Sequence, residues 1–473
     1  MTERLTILHT NGVHGRLEGL ARVATLVNDA RRTSVHPVLY VDVGDIEDTS
    51  NRLSNLTKGV AMHRLLSAAG CNASAVGNGG LLRYGPTLLE RYALAATYPL
   101  FLANLVTADG SSIAGVQSHG MLAVASAKIG VIGLTDPFDS YSSVFGLQPL
   151  EIVPLVRRLA LELRAAGAEF ILVLSHFGWQ HQATDRNLPN DADLARALQS
   201  KIDLVIGAHT HHLLLHGERI GRVWVAQAGS YAQHLGRIEL SRDSSGWHVQ
   251  SCATQALLET VEPLHSVLEE EARIEAELEM WLAEPLCTFT TDLTHATAAE
   301  CAGGNVVTDA LRAYWDAEIG LSLGGMGFLC ALGAGVATRG DIFERVPSSA
   351  NPAVTQLQGW QILEMLVLGL DAAQASVSPK RYRGAARGLM HVSNLLSRDG
   401  QWFVGTTSHH APLELERVYR VAASDAELQV ENGFTQSIWN VETQYDANVI
   451  MREVLEGYMR RHPFIAPEIG RVQ

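Results

Sequence analysis

The amino-terminal half of this chain repeatedly places a short, continuous apolar run directly before a glycine or a polar side chain. Runs of this kind end at residues 43, 76, 174 and 206, and each lies between segments with helical periodicity. Strands that are apolar on both faces and alternate with helices are typical of α/β proteins, in which helices cover the sheet. The pattern therefore predicts an α/β fold whose strands carry polar groups just past their carboxyl ends.

The polar groups that follow these strands are of the types that bind metal ions. Sites in α/β proteins are built at the carboxyl edge of the sheet, where loops point several side chains at one place, so we expect these groups to meet. Each group alone is more often a turn, a helix cap or a surface histidine, and the prediction therefore depends on the whole set. The segments are Asn11-Gly12-Val13-His14-Gly15, Val43-Gly44-Asp45, Gly77-Asn78, Ser175-His176 and Gly207-Ala208-His209-Thr210-His211-His212.

Length and composition set the broad class of the protein. A chain of 473 residues suggests two or three domains, and 47% apolar with 18% charged residues is ordinary for a globular protein. The chain has no apolar run of about 18 residues and no secretory signal at its start, so we expect no membrane partner and a cytoplasmic location. The net charge of −14 disfavours nucleic acid as a partner but leaves a nucleotide possible.

Hydrophobic periodicity predicts the main elements. We expect residues 223–228 and 235–240 to form paired strands, and residues 324–327 to form a tight turn. Helices are predicted over 19–32, 58–69, 153–166, 194–199, 305–314 and 359–370, and strands over 5–9, 38–43, 73–76, 129–134, 170–174, 204–206, 319–323 and 419–423.

A change in composition marks the middle of the chain. Residues 256–284 are rich in glutamate, with apolar residues at roughly helical spacing, which predicts a solvated helix that links two domains. The predicted division is therefore a domain over 1–255, a linker helix over 256–285 and a second domain over 286–473.

Taken together, the polar segments resemble the 5'-nucleotidase family of metallophosphoesterases. In that family the first segment usually reads Asn-Asp-x-His-Gly and the middle one Gly-Asn-His-Glu-Phe-Asp-Tyr-Gly. Residues 304–310 and 338–341 resemble parts of the family's carboxyl-terminal substrate-binding domain. The resemblance implies a four-layer α-β-β-α metallophosphoesterase sandwich, followed by a smaller α/β domain of the 5'-nucleotidase type.

The resemblance also implies a metal centre and a ligand set for each of two ions. The first site has Gly12 where the family has an aspartate, so we expect one divalent ion rather than two, with Mn, Zn or Fe suited to these donors. The second site would take Asp45, Asn78, His176 and His209, and the first would take His14, Asp45 and His211.

The residues that the resemblance would make catalytic are absent. Gly79 stands where the family has a histidine that assists phosphoryl transfer, and Leu82 stands where an aspartate orients that histidine. General acid catalysis is typically worth about 10²–10⁴-fold, and neither residue can supply it. We therefore predict no catalytic residue at these positions.

The second domain departs from the family pattern as well. Leu329 occupies the position of an arginine that binds phosphate, which removes a bidentate contact. The residues that remain as candidate substrate contacts are Asn351, Asn432 and Phe434.

Three functions follow from these observations. The leading hypothesis is a 5'-nucleotidase-like homologue with a degraded active site, which has weak or no hydrolase activity toward nucleotides, keeps one metal and binds a nucleotide or another small phosphate ester. The first alternative is an active metal-dependent phosphohydrolase with an altered mechanism. The second alternative is an interaction protein that binds no metal.

Overall fold

The computed structural model describes residues 3–179, 189–346, 348–377, 386–428, 433–436 and 439–472. The chain divides into two compact units, Met1–Glu275 and Ala276–Gln473, and the helix His265–Leu282 includes the boundary between them. The predicted three-part division of the chain stays a prediction. Among the described residues, no helix combines the length and apolar composition needed to cross a bilayer.

The first unit contains two six-stranded sheets with helices around them. Its strands are β1 Arg4–Thr10, β2 Val38–Asp42, β3 Ala73–Ala75, β4 Leu100–Phe101, β5 Leu105–Val106, β6 His119–Val124, β7 Ala127–Thr135, β8 Gln148–Pro149, β9 Phe170–His176, β10 Leu204–Gly207, β11 Glu218–Ile220, β12 Val223–Ala226, β13 His234–Asp243 and β14 Gly246–Ala256. Its helices are α1 Leu17–Thr33, α2 Arg52–Leu56, α3 Val60–Ala68, α4 Asn78–Tyr84, α5 Leu88–Ala95, α6 Asp139–Ser143, α7 Ile152–Ala165, α8 Asp191–Ala197 and α9 His265–Leu282.

The strand orders place the parallel strands at the centre of each sheet. One sheet has the order β14-β13-β1-β2-β3-β4, in which β1 to β4 are parallel, and the other has the order β11-β12-β10-β9-β7-β6, in which β12, β10, β9 and β7 are parallel. Parallel strands end at the same edge of their sheet. The loops after β1, β2 and β3 therefore leave one sheet together, and those after β7, β9 and β10 leave the other.

A shared apolar core holds the two sheets face to face. Ile7 and Val41 of the first sheet belong to the same buried cluster as Val131, Leu172 and Ile206 of the second. On its other face the second sheet packs against α7 and α8, while α1 contacts β2 of the first sheet. The predicted four-layer α-β-β-α arrangement is confirmed, because strands that are apolar on both faces need cover on both.

The second unit is built around a five-stranded mixed sheet of order β19-β16-β23-β18-β24, with two three-stranded sheets beside it. Its strands are β15 Pro285–Phe289, β16 Ile319–Leu323, β17 Gly335–Thr338, β18 Pro352–Gln358, β19 Met390–Ser393, β20 Leu395–Arg398, β21 Gln401–Gly405, β22 His410–Pro412, β23 Val418–Ser424, β24 Thr443–Tyr445 and β25 Phe464–Ile465. Its helices are α10 Ala302–Tyr314, α11 Gly324–Gly327, α12 Arg339–Arg345, α13 Gly359–Gly369, α14 Asp425–Leu428 and α15 Met451–Arg461, with a 3₁₀ turn at Ala372–Gln374.

Three predictions about local structure are wrong. The segments 223–228 and 235–240 do not pair, because β12 lies beside β10 and β11 in one sheet whereas β13 lies beside β1 and β14 in the other. Residues 324–327 form one helical turn. The acidic helix begins only at His265, two residues after Pro263, and residues 257–264 precede it without regular structure.

The side chain of Asn11 joins the two sheets at their carboxyl edges. Asn11 follows β1, and its amide donates to the carbonyl of Gly207 at the end of β10 and accepts from the backbone N–H of Ala228 at 2.9 Å. The residue is 3% exposed, so both backbone groups would be buried and unpaired without it. Because unpaired buried groups are costly, this amide stabilises the relative position of the two sheets.

We therefore expect Asn11→Ala to lower the free energy of unfolding of the first unit by about 2–4 kcal/mol, since two buried backbone groups lose their partner. Urea unfolding followed by tryptophan fluorescence measures the change. Asn28→Ala, at an exposed position of α1, is the control and should stay within about 0.5 kcal/mol of the unsubstituted protein. Equal losses in the free energy of unfolding for Asn11→Ala and Asn28→Ala would contradict the role of Asn11 in joining the two sheets.

Candidate metal centre

Three of the predicted ligands lie together between the carboxyl edges of the two sheets. Asp45, His176 and His209 offer ligand atoms that all lie within 4.8 Å of one another. They follow β2, end β9 and follow β10, respectively. A metal ion bound at about 2.0–2.2 Å to each donor requires donors this close, so the spacing fits one divalent cation.

The Asp45 carboxylate is the centre of this cluster. One oxygen accepts from the backbone N–H of Gly79 at 2.6 Å, and the other lies 3.3 Å from His176 Nε2. Burial would raise the pKa of Asp45, but the neighbouring imidazoles of His176 and His14 and the Gly79 N–H outweigh it and hold the pKa well below its usual range. Asp45 is therefore an anion, which a metal ligand must be.

His176 presents a buried ring nitrogen without a hydrogen bond. Its Nδ1 donates to the backbone carbonyl of Val43 at 2.6 Å, so in the neutral ring Nε2 carries the lone pair. Among the described residues, Nε2 has no hydrogen-bond partner, and the Asp45 carboxylate is at 3.3 Å. Burial would lower the pKa of His176, but the Asp45 carboxylate outweighs it and raises that pKa, so a positive charge is favoured at this ring and a metal ion would supply it in place of the proton. A backbone carbonyl on the other ring nitrogen is usual for metal-binding histidines.

His209 connects this cluster to two further oxygen donors. Its Nδ1 lies 2.8 Å from the side-chain oxygen of Asn78, and its Nε2 lies 3.4 Å from Asp136 Oδ2. The predicted ligand Asn78 is thus next to the cluster. Two imidazoles, a carboxylate and an amide oxygen form a donor set that suits Mn, Zn or Fe.

Two of the three predicted ligands of the other metal site, His14 and His211, form a pair, and the third is the shared Asp45. His14 Nε2 and His211 Nε2 are 3.0 Å apart, and Asp48 lies 3.7 Å from His14 Nδ1. Burial lowers the pKa of both histidines, so both rings are neutral near pH 7. The pair keeps two donor nitrogens close together but has no carboxylate at position 12.

The backbone of Gly12 shows where the missing carboxylate would lie. A Cβ atom added to Gly12 would be 3.0 Å from His14 Nε2 and 3.6 Å from His211 Nε2. A side chain at this position would therefore point at the histidine pair. The φ angle of Gly12 is +51°, a conformation that aspartate tolerates better than most residues.

Four of the candidate ligands have strained backbones. His14, Asp45, His209 and His211 have φ angles of +48°, +55°, +65° and +57°, in the left-handed region that L-residues rarely adopt. Each such residue costs of order 1–3 kcal/mol and persists only where the surrounding structure enforces it. The strain coincides with the candidate ligands, which is typical of a functional site.

Two glycines allow the loops that carry Asp45 and Asn78 to touch. A Cβ atom on Gly44 would lie 2.4 Å from the backbone nitrogen of Gly77, and one on Gly77 would lie 2.2 Å from that of Asp45. Real Cβ atoms do not approach backbone so closely. The metal-centre geometry therefore requires glycine at both positions.

An arginine fills the place where the family has its catalytic histidine. A Cβ atom on Gly79 would lie 2.9 Å from Asp45 Oδ1 and 3.0 Å from Arg83 Nη1. Arg83 also donates from Nη1 to the carbonyl of Gly79 at 3.0 Å. Leu82 is half-buried and has no polar group to offer.

Two of the three predicted substrate contacts in the second unit are buried. Asn351 is 4% exposed, and its amide donates to the carbonyl of Val449 at 2.7 Å. Phe434 is 3% exposed and packs in the apolar core of this unit. Asn432 lies outside the described residues, and the role of all three as substrate contacts stays a prediction.

Sequence reasoning missed two residues of the centre. Asp136 directly follows β7, so the rule that selected Asp45 and His209 applies equally to it. Arg83 lies four residues after Gly79 on α4, a spacing that places both on one helix face. The signal for Arg83 was a charged residue where the family pattern has tyrosine.

Comparison with known proteins finds 5'-nucleotidases and metallophosphoesterases. A family model described as "5'-nucleotidase, C-terminal domain" matches residues 282–436. The chain is 24% identical to the uncharacterized metallophosphoesterase YunD of Bacillus subtilis (strain 168), over 81% of each protein. It is 26% identical to bovine (Bos taurus) 5'-nucleotidase, over 65% of this chain but only 59% of that relative's length.

A solved structure shows the same two-domain fold. The crystal structure of a 5'-nucleotidase precursor from Thermus thermophilus superposes with a TM-score of 0.51 at 22% identity, covering 99% of each chain. At this identity the likeness concerns the fold alone. The family model places residues 282–436 in the 5'-nucleotidase C-terminal domain family, and the chain as a whole is similar to metallophosphoesterases and 5'-nucleotidases.

Proposed function

We propose that this protein is a 5'-nucleotidase homologue that binds a small phosphate ester or nucleotide at a one-metal centre and hydrolyses it weakly or not at all. The observation that carries the proposal is the contrast within one site. The cluster of Asp45, His176 and His209 keeps the spacing of metal ligands, while the positions for the reactive groups hold Gly79 and Leu82.

The number of metal ions follows from the charge of the two half-sites. The half-site around Asp45 has a buried anion, an orphaned imidazole nitrogen and the nearby oxygens of Asn78 and Asp136. The half-site of His14 and His211 has two neutral rings and no carboxylate from position 12. A dication gains most from anionic ligands, so the half-site around Asp45 binds it more tightly. When bound, the ion would polarise a phosphate oxygen of the ligand.

Weak hydrolysis follows from the lack of a proton donor beside that ion. Neither Gly79 nor Leu82 can transfer a proton. The expected loss in hydrolysis rate is the factor of about 10²–10⁴ that general acid catalysis usually supplies. An active phosphohydrolase with an altered mechanism remains the competing function, and turnover measurements decide between the two.

The first prediction concerns the metal. Asp45→Asn should weaken Mn²⁺ binding by at least about a hundredfold, because the amide keeps the shape of the side chain but removes its charge. Metal content after desalting, measured by inductively coupled plasma mass spectrometry, tests this. Asp109→Asn, at an exposed turn of the same unit, is the matched control and should bind as the unsubstituted protein does. Absence of bound Mn, Zn or Fe in the unsubstituted protein would favour the metal-free alternative.

The second prediction concerns stoichiometry. Gly12→Asp should raise the bound Mn²⁺ from about one to about two ions per chain, because the new carboxylate would point at the nitrogens of His14 and His211. Gly12→Asn has nearly the same shape without the charge and should leave the ratio near one. Calorimetric titration of metal-free protein gives the number of Mn²⁺ ions bound per chain. A number unchanged by Gly12→Asp would contradict the assignment of the His14 and His211 half-site.

The third prediction concerns activity. Restoring Gly12→Asp, Gly79→His and Leu82→Asp should need Arg83→Tyr as well, because a Cβ atom at position 79 would lie only 3.0 Å from the guanidinium of Arg83. The quadruple variant should hydrolyse nucleoside monophosphates about 10²–10⁴ times faster than the unsubstituted protein, and the triple variant, which keeps Arg83, should gain less.

Phosphate release in the presence of Mn²⁺ provides the measurement, and adding Asp45→Asn to the quadruple variant provides the control. Rapid turnover by the unsubstituted protein that Asp45→Asn abolishes would instead establish the active phosphohydrolase.

A further inference from the structure

Arg83 is a half-buried cation whose hydrogen-bonding capacity is largely unused. Its Nη1 donates to the Gly79 carbonyl, while its Nε is buried and, among the described residues, has no hydrogen-bond partner. Within the described part of the chain, no carboxylate lies within ion-pair distance of the guanidinium. A guanidinium has five N–H groups, and a buried donor left unpaired is costly, so the arrangement points to an acceptor that binds there.

The position of Arg83 is defined by the helix that carries it. Side chains on a helix lean toward its amino terminus, so Arg83 reaches back over Gly79 one turn earlier on α4. Because Gly79 has no side chain, the guanidinium occupies the space that a side chain at position 79 would need. A Cβ atom there would lie 3.0 Å from Arg83 Nη1 and 2.9 Å from Asp45 Oδ1. The cation therefore lies beside the metal ligand.

The surrounding charges leave an anion as the fitting occupant. Compared with the family pattern, the centre lacks the acidic groups at positions 12, 80 and 82 and has gained the positive charge of Arg83. With a dication bound at Asp45, Arg83 adds a further positive charge beside it, and the two cations together would attract a doubly charged phosphate group.

We propose that Arg83 binds the phosphate group of the ligand, in the role that the first metal ion has in a two-metal centre. The inference rests on the proposed function, because it assumes one ion at Asp45, His176 and His209. The planar guanidinium matches two phosphate oxygens at once, and a cation held by Asp45, His176 and His209 would add a second positive charge for the phosphate group. The centre then recognises phosphate monoesters and orthophosphate through one metal and one arginine.

Orthophosphate binding to the full-length, Mn-loaded protein tests the proposal by isothermal titration calorimetry. Arg83→Gln should weaken binding by about ten- to a hundredfold with unchanged metal content, since charged hydrogen bonds are lost. The phosphate affinity of Arg83→Lys should lie between those of Arg83→Gln and the unsubstituted protein, because lysine keeps the charge but not the bidentate geometry. Arg91→Gln, an exposed arginine of α5, is the control and should bind phosphate as the unsubstituted protein does.

A chemical measurement on the unsubstituted protein avoids any effect of Arg83→Gln on folding. Phenylglyoxal modifies arginines, and phosphate should slow the modification of Arg83 severalfold while leaving that of Arg91 unchanged, as mapped by mass spectrometry.

The outcomes separate the two proposals. Equal phosphate affinity of Arg83→Gln and the unsubstituted protein, no phosphate binding by Mn-loaded protein, or no protection of Arg83 would each overturn the role of Arg83 and leave the metal centre standing. Failure of the protein to retain any metal would overturn the proposed function, and with it the inference.

Discussion

The contact between the Asp45 carboxylate and the His176 ring joins the facing carboxyl edges of two separate sheets. One residue follows β2 and the other ends β9, so the contact forms only when the shared apolar core holds the sheets face to face. The buried amide of Asn11 links the same two edges through backbone groups. Placement of the metal ligands thus depends on the packing of the sandwich, and the strained φ angles of four ligand residues are maintained by that packing.

The proposed function depends on a few side chains of the candidate metal centre. Relative to the family pattern, Gly12 leaves one half-site without a carboxylate, and neither Gly79 nor Leu82 is titratable. The space at Gly79 is taken by Arg83, whose guanidinium lies near Asp45. In the proposed function, these differences favour binding of an anionic ligand over its hydrolysis.

The prediction of the fold from sequence succeeded where one strand or helix carries its own signal. The apolar runs and helical periodicity located most elements of the first unit, but the proposed pairing of 223–228 with 235–240 was wrong. Both segments have strand patterns, and nothing in such a pattern says which of two sheets a strand joins. Residues 324–327 form a helical turn, and the backbone N–H groups of Gly324 and Gly325 donate to the carbonyls of Leu389 and Arg387, which are distant in sequence. The sheet assignment comes from packing between distant segments, which local periodicity does not encode.

The sequence alone determined the types of donor atoms, their positions past the ends of strands, and the absence of a titratable group at Gly79 and Leu82. Those properties belong to single residues and short motifs, so one-dimensional information is sufficient. Only the tertiary structure decided that Asp136 lies beside His209 and that Arg83 folds back over Gly79 toward Asp45. The reason is physical: a side chain acts through the charges and atoms within a few ångströms of it, and those neighbours are brought together by the packing of the two sheets.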